Sequence, residues 1–143
     1  MAFRTGLIGN VFIVRCMSVP ASGENRAVLG VLREARRQLG TPVIFVNVIP
    51  DGVDLPSAEA RSDMQAITPQ LLECTDAIQL VIAGDGVMRT MMRSLVRAMT
   101  VAGRRGNKVA VHPSLEEFVR ANEKSLGLDR VTFMARLARE GLS

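Results

Sequence analysis

Residues 77–99 read AIQLVIAGDGVMRTMMRSLVRAM. The apolar run Ile78 to Ala83 breaks at Gly84-Asp85-Gly86 and passes directly into a segment whose apolar residues recur at helical spacing. That pattern reads as a buried strand, a tight turn at its carboxyl end, and an amphipathic helix expected from Val87 to about Ala102. In open α/β sheets this edge is where ligands and partners meet the protein. The turn carries no nucleophile and no histidine.

The same alternation extends outward in both directions. Val43 to Ile49 is the longest strand-like run, and its continuous hydrophobicity suits a strand covered on both faces, as in a parallel sheet. Upstream, Phe3 to Ile8 and Val11 to Val14 flank Gly9-Asn10, a hairpin connector. Ala27, Val28, Val31, Leu32, Ala35 and Leu39 then predict the inner face of a helix stopped at Gly40. A second helix is expected from Ser57 to Cys74, kinked or split around Thr68 by Pro69. Lys108 to His112 gives a short strand. Ser114 with Glu117 forms a capping box for a helix that turns Leu115, Phe118 and Val119 inward, and Val131 to Arg139 closes the chain as a short helix. Strands alternating with helices imply an α/β sandwich of four to five mainly parallel strands with surrounding helices, with Val43–Ile49 and Ile78–Ala83 at its centre. No repeat or linker interrupts residues 1–143, which read as one domain.

Composition narrows the function classes. A hydrophobic share of 48% supports a packed core and with 22% charged residues argues against disorder, and no run approaches the roughly 18 consecutive apolar residues of a membrane span. With no secretory signal pattern at its start, the chain is expected in the cytoplasm. Cys16 and Cys74 are far apart, and with His112 they make only three scattered soft ligands, so no metal or cofactor is expected. Both cysteines sit at ordinary core positions and read as buried free thiols. The net charge of +4 lies in the second half, but without Trp or Tyr to stack on bases it does not indicate nucleic acid.

Candidate chemistry concentrates around the central turn. Gly84-Asp85-Gly86 lacks the third glycine of a dinucleotide fingerprint, since Arg89 stands there, and no phosphate-loop lysine follows. A strand-to-helix turn capped by Asp85 stands against an anion site at a helix N-terminus. His112 has no serine or cysteine partner in a recognisable arrangement, so a structural role stands against a catalytic one. Met88, Met91, Met92, Leu95, Val96 and Met99 form a stripe that either packs on the sheet or offers an adaptable contact or apolar pocket. Arg89, Arg93 and Arg97 stack at i, i+4 and i+8 on another face. That row is either ordinary solvated surface, a contact for an acidic protein, or a site for nucleic acid or anionic lipid.

The order of elements and residues 77–133 resemble the STAS superfamily, which includes anti-sigma-factor antagonists and the SpoIIAA-like group. The resemblance is carried by the strand, turn and helix of Ile78 to Val96, the bend Gly103-Arg104-Arg105-Gly106 and the strand Lys108 to Val111. The capped helix Ser114 to Arg120 and the segment Leu126-Gly127-Leu128-Asp129-Arg130-Val131 complete it. It implies a small cytoplasmic protein–protein interaction module, in some members switched by phosphorylation of a serine in a D-S-x-G turn. Here that turn reads Gly84-Asp85-Gly86-Val87, so the switch does not carry over, and Thr90 is the nearest hydroxyl.

The sequence therefore predicts a non-enzymatic regulatory or scaffolding module that contacts protein partners through Gly84, Asp85, Gly86, Arg89, Thr90, Arg93 and Arg97. The alternative is a binder of an apolar or amphiphilic, lipid-like small molecule. A homodimer is also expected, because the Met-rich helix and the C-terminal residues Leu126, Leu128, Val131, Phe133, Met134 and Leu137 add apolar surface beyond what one small sheet needs.

Overall fold

A computed structural model of the chain describes residues 2–18, 23–54, 57–87, 89–94 and 109–143. The hairpin forms as read: β1 (Phe3–Ile8) pairs antiparallel with β2 (Val11–Cys16) around a turn at Gly9, whose φ is +59°. A Cβ at Gly9 would lie 2.8 Å from the Leu126 carbonyl oxygen, so glycine is needed both for the backbone and for the space.

Helix α1 (Glu24–Leu39) ends at Gly40, whose N–H donates to the Arg36 carbonyl at 3.0 Å from a left-handed conformation. Its inner stripe is Asn25, Val28, Leu29, Leu32 and Ala35, with Ala27 and Val31 outside. The expected stripe was too wide. At 100° per residue Ala27 and Val31 lie beyond the arc centred on Leu32, and small apolar residues tolerate that exposure.

Strand β3 (Val43–Ile49) is buried at every residue. Helix α2 (Ala58–Cys74) starts where the Ser57 hydroxyl accepts from the Ala60 N–H at 3.1 Å, and it runs through Pro69 as one helix. The expected split is absent because Ile67 and Leu71, buried on either side of Pro69, hold both halves on the core. Beside the proline the Thr68 hydroxyl donates to the Met64 carbonyl at 2.8 Å. Strand β4 (Thr75–Ile82) follows α2 without a loop.

Helix α3 is described at residues 87 and 89–94; β5 (Val109–His112), α4 (Leu115–Asn122) and α5 (Arg130–Arg139) complete the order. The Ser114 hydroxyl caps α4 by accepting the Glu117 N–H at 3.1 Å. The Gly103–Gly106 bend, Lys108 and Arg97, together with Met88, Leu95, Val96 and Met99 of the methionine stripe, lie outside the described residues.

The five strands form one mixed, mostly parallel sheet in the order β1-β2-β3-β4-β5. Val43–Ile49 and most of Ile78–Ala83 are thus interior strands, as continuous burial demands. The β2–α1–β3 and β3–α2–β4 crossovers each advance one strand in the same direction with the helix on the same face, so these two share one hand. On that face Phe12, Val14, Phe45, Ile78 and Ile82 pack under α1, α2 and Met92 of α3. On the other, Ile13, Ile44, Val46, Val48 and Val81 pack under α4 and α5.

This second face consumes the C-terminal apolar residues expected to contact a second copy. Leu126, Phe133 and Leu137 are fully buried, Leu128 and Met134 pack against them, and only Val131 stands out. Among the described residues no helix is long and apolar enough to cross a membrane.

Candidate functional site

Two loops meet at the carboxyl edge of the central strands. After β3 the chain turns at Pro50-Asp51-Gly52, with the Val53 N–H returning to the Pro50 carbonyl at 3.3 Å. After β4 the Ala83 N–H extends the ladder by donating to the Ile49 carbonyl at 3.0 Å. Gly84 and Gly86 then take φ values of +99° and +107°. The Thr90 N–H donates to the Gly86 carbonyl at 3.1 Å, so the first helical carbonyl of α3 belongs to Gly86. Asp85 therefore stands one residue ahead of the helix, exposed, and is not the N-cap the sequence suggested.

Arg89 and Arg93, the described members of the arginine row, do not lie on a solvated stripe. Arg89 donates from Nη1 to the Ala83 carbonyl at 2.7 Å and from Nη2 to the Val53 carbonyl in the neighbouring loop. Arg93 donates from Nη1 to the carbonyls of Ile82 at 2.7 Å and Gly84 at 3.1 Å, and reaches the Thr90 hydroxyl at 3.4 Å. Only 12% of the Arg89 side chain is accessible, against 75% of Asp51, whose Oδ1 lies 3.9 Å from Arg89 Nε. The two cations thus satisfy main-chain carbonyls at the end of β4 and in the two loops beyond the sheet. Helical spacing places the Cα atoms correctly, but a guanidinium on a four-bond stem can curl inward at the first turn, which periodicity does not reveal.

Gly84 sits inside this clamp. A Cβ there would approach Asp51 Oδ1 to 2.5 Å and Arg89 Cδ to 2.9 Å. With the arginines inward, the outward face of α3 is Val87, Thr90, Met91 and Ser94, at i, i+3, i+4 and i+7. Val87 is 75% and Met91 59% exposed, while Met92 packs on the core. Of the residues proposed from sequence, Asp85, Gly86 and Thr90 are on the surface, while Gly84, Arg89 and Arg93 build the support beneath it.

On the opposite sheet face lies a polar group that sequence reading missed. The Gln79 and Asn122 side-chain amides bond each other in both directions, at 2.6 and 2.8 Å. His112 Nε2 lies 2.6 Å from the same Gln79 Oε1, which accepts, so that nitrogen carries the proton. The ring stands edge-on to Phe118. His112 is thereby held between Gln79 and the Phe118 ring. Cys16 is held similarly, its thiol donating to Asn47 Oδ1 at 3.3 Å, and burial pushes its pKa up to about 12. A thiol kept neutral in this way is not a nucleophile near neutral pH.

Beside the Gly84 turn, on the α4 side, a cleft of about 210 Å³ opens between Val48, Pro50, Asp51, Val81, Ala83, the first turn of α4 and Met134. Among the described residues no three His, Cys, Asp or Glu side chains converge on a possible metal position. No protein-family model matches the chain, and neither the curated proteins nor the solved structures compared with it give a match.

Proposed function

We propose that this protein is a non-enzymatic interaction module, regulatory or scaffolding in role, that docks a protein partner on the Asp85–Val87 turn and the outward face of α3. The observation that carries the reading is the combination of a clamped base and an apolar tip. Arg89 and Arg93 fix the turn through four main-chain carbonyls, while Val87 and Met91 stand exposed beside it. A surface organised before binding loses little ordering entropy on association, and exposed apolar side chains there supply contact area. The one histidine and the Cys16 thiol are engaged in internal packing, which favours this reading over catalysis.

A STAS-like fold is part of the proposal. It is supported by a sheet whose strands follow chain order, with the crossover helices together on one face. The expectation of an acidic partner draws no support from Arg89 and Arg93, which turn inward, while Asp51 and Asp85 are exposed at this edge and Arg97 lies outside the described residues. The lipid-like ligand of the alternative reading gains no support from a cleft below the roughly 300 Å³ at which small-molecule pockets usually begin.

A photo-crosslinking residue placed at position 87 or 91 in the native host tests the proposal. A discrete protein adduct is expected from both positions and not from Val31, an exposed apolar control on α1. The adduct at 91 should disappear in a Val87→Asp background. Equal labelling from all three positions, or a retained organic ligand in native mass spectrometry, would overturn it.

A further inference from the structure

We infer that the cleft beside the Gly84 turn receives the aliphatic cationic side chain, lysine or arginine, of a bound partner polypeptide; this rests on the interaction reading above. The cleft opens at the carboxyl ends of β3 and β4, with Val48 and Val81 as its floor and Leu115 and Met134 as its walls. Asp51 belongs to both the cleft and the clamp, since its carboxylate lies 3.9 Å from Arg89 Nε. A partner seated on the turn is therefore within one side chain's reach of the cleft.

At about 210 Å³ the cleft has room for one extended side chain. The lining selects its chemistry. The floor and walls are apolar and suit a methylene stem, and the ionisable side chains on the rim are both carboxylates, Asp51 and Glu116. Both are exposed and no lining residue is basic, the nearest cation on that side being Arg15, whose Nε is committed to the carbonyl of the lining residue Ser143 at 2.9 Å. An anion is repelled there, and a bare divalent cation would lack the six or more oxygen ligands that it prefers. A lysine or arginine side chain matches both parts, burying its stem while its head stays at the wet rim. Asp51 already shares its charge with Arg89, so Glu116 carries the larger part of the selection.

The test is a titration followed by amide NMR with N-acetyl-lysine amide, N-acetyl-arginine amide, the neutral N-acetyl-norleucine amide, and n-butylammonium. Saturable shifts at Val48, Asp51, Ala83, Leu115 and Glu116 are expected with the lysine and arginine probes in the millimolar range. The norleucine probe should bind several-fold more weakly. Glu116→Gln should weaken the lysine probe by up to about 5-fold and Asp51→Asn by less, as exposed charge pairs do. Added salt should weaken it further. Equal binding of norleucine and lysine probes would overturn the charge selection. Binding of butylammonium without the lysine probe would overturn the side-chain assignment, and no shift at all would overturn the site. Val87→Asp should leave these shifts unchanged, so failure of the α3 contact face and failure of the cleft are read separately.

Discussion

The Arg89 guanidinium donates to the main-chain carbonyl of Val53, so the helix that follows β4 holds the loop that follows β3. The same group also donates to Ala83, joining the two carboxyl-edge loops through one side chain. The most distinctive local sequence, Gly84 to Arg93, is thus a mounting for a surface as much as the surface itself.

Changing Arg93 to glutamine should cost stability, in contrast to an exposed arginine. Arg93 supplies charged hydrogen bonds to the Ile82 and Gly84 carbonyls, and such bonds are worth about 1.5–3 kcal/mol each before water replaces part of the loss. A net loss of about 1–3 kcal/mol is expected, lowering the melting temperature by roughly 3–10 °C. Arg89→Lys should be nearly as damaging as Arg89→Gln, because one ammonium cannot span both Ala83 and Val53. Thermal unfolding of the three variants decides this, and unchanged melting in all of them would return the arginines to the solvated face.

Gly84→Ala and Gly86→Ala separate backbone strain from crowding. Both positions have positive φ, so each alanine carries strain of roughly 1–3 kcal/mol. At Gly86 nothing lies within 4 Å of the added Cβ, whereas at Gly84 it meets Asp51 and Arg89. Denaturant unfolding should find Gly84→Ala the less stable variant by at least about 1 kcal/mol.

Phe133→Ala tests whether α5 belongs to the core of one chain. Phe133 is fully buried against Phe118 and its neighbours, so truncation should cost about 3–5 kcal/mol. The loss should be independent of protein concentration, because it arises inside a single chain. A dependence on concentration would place the residue at an interface between copies.

Cys16 gives a pH signature. Its pKa is raised by burial from 9.0 to about 12, so between those values the unfolded chain has lost the thiol proton that the folded chain keeps. The unfolded state then binds fewer protons, and stability falls as pH rises from 9 toward 12. Cys16→Ser should flatten that part of the profile. Native Cys16 should also resist alkylation at pH 8 and react once denaturant is added.

What could be read from sequence was whatever is decided locally. The apolar run Val43–Ile49, the Gly9-Asn10 hairpin, the Gly40 stop and the Ser114 cap all depend on residues within a turn of one another, and each stands where expected. What escaped depends on contacts across the fold. Gln79 lies inside an apolar run, and its partner Asn122 stands 43 residues away, so neither carries a signal alone. The inward turn of Arg89 answers carbonyls that exist only once two loops have met. The second apolar layer was misassigned to a second copy because hydrophobic supply reveals how much surface is covered but not by what.

Strand order that repeats chain order has a consequence for synthesis. Paired positions along the parallel part of the sheet, Val11 with Ile44, Ile44 with Ala77 and Ile78 with Val109, are separated by 33, 33 and 31 residues. Each strand therefore leaves the ribosome with its neighbour already made, and every closure spans a loop of about the same modest cost. The layer formed by α4 and α5 has no such head start. Until residues 115–142 emerge, the sheet face bearing Ile13, Val46 and Val81 lacks the helices α4 and α5 that pack on it. A nascent chain of which only the residues up to about 112 have emerged from the ribosome would therefore lack that layer and be open to chaperone capture.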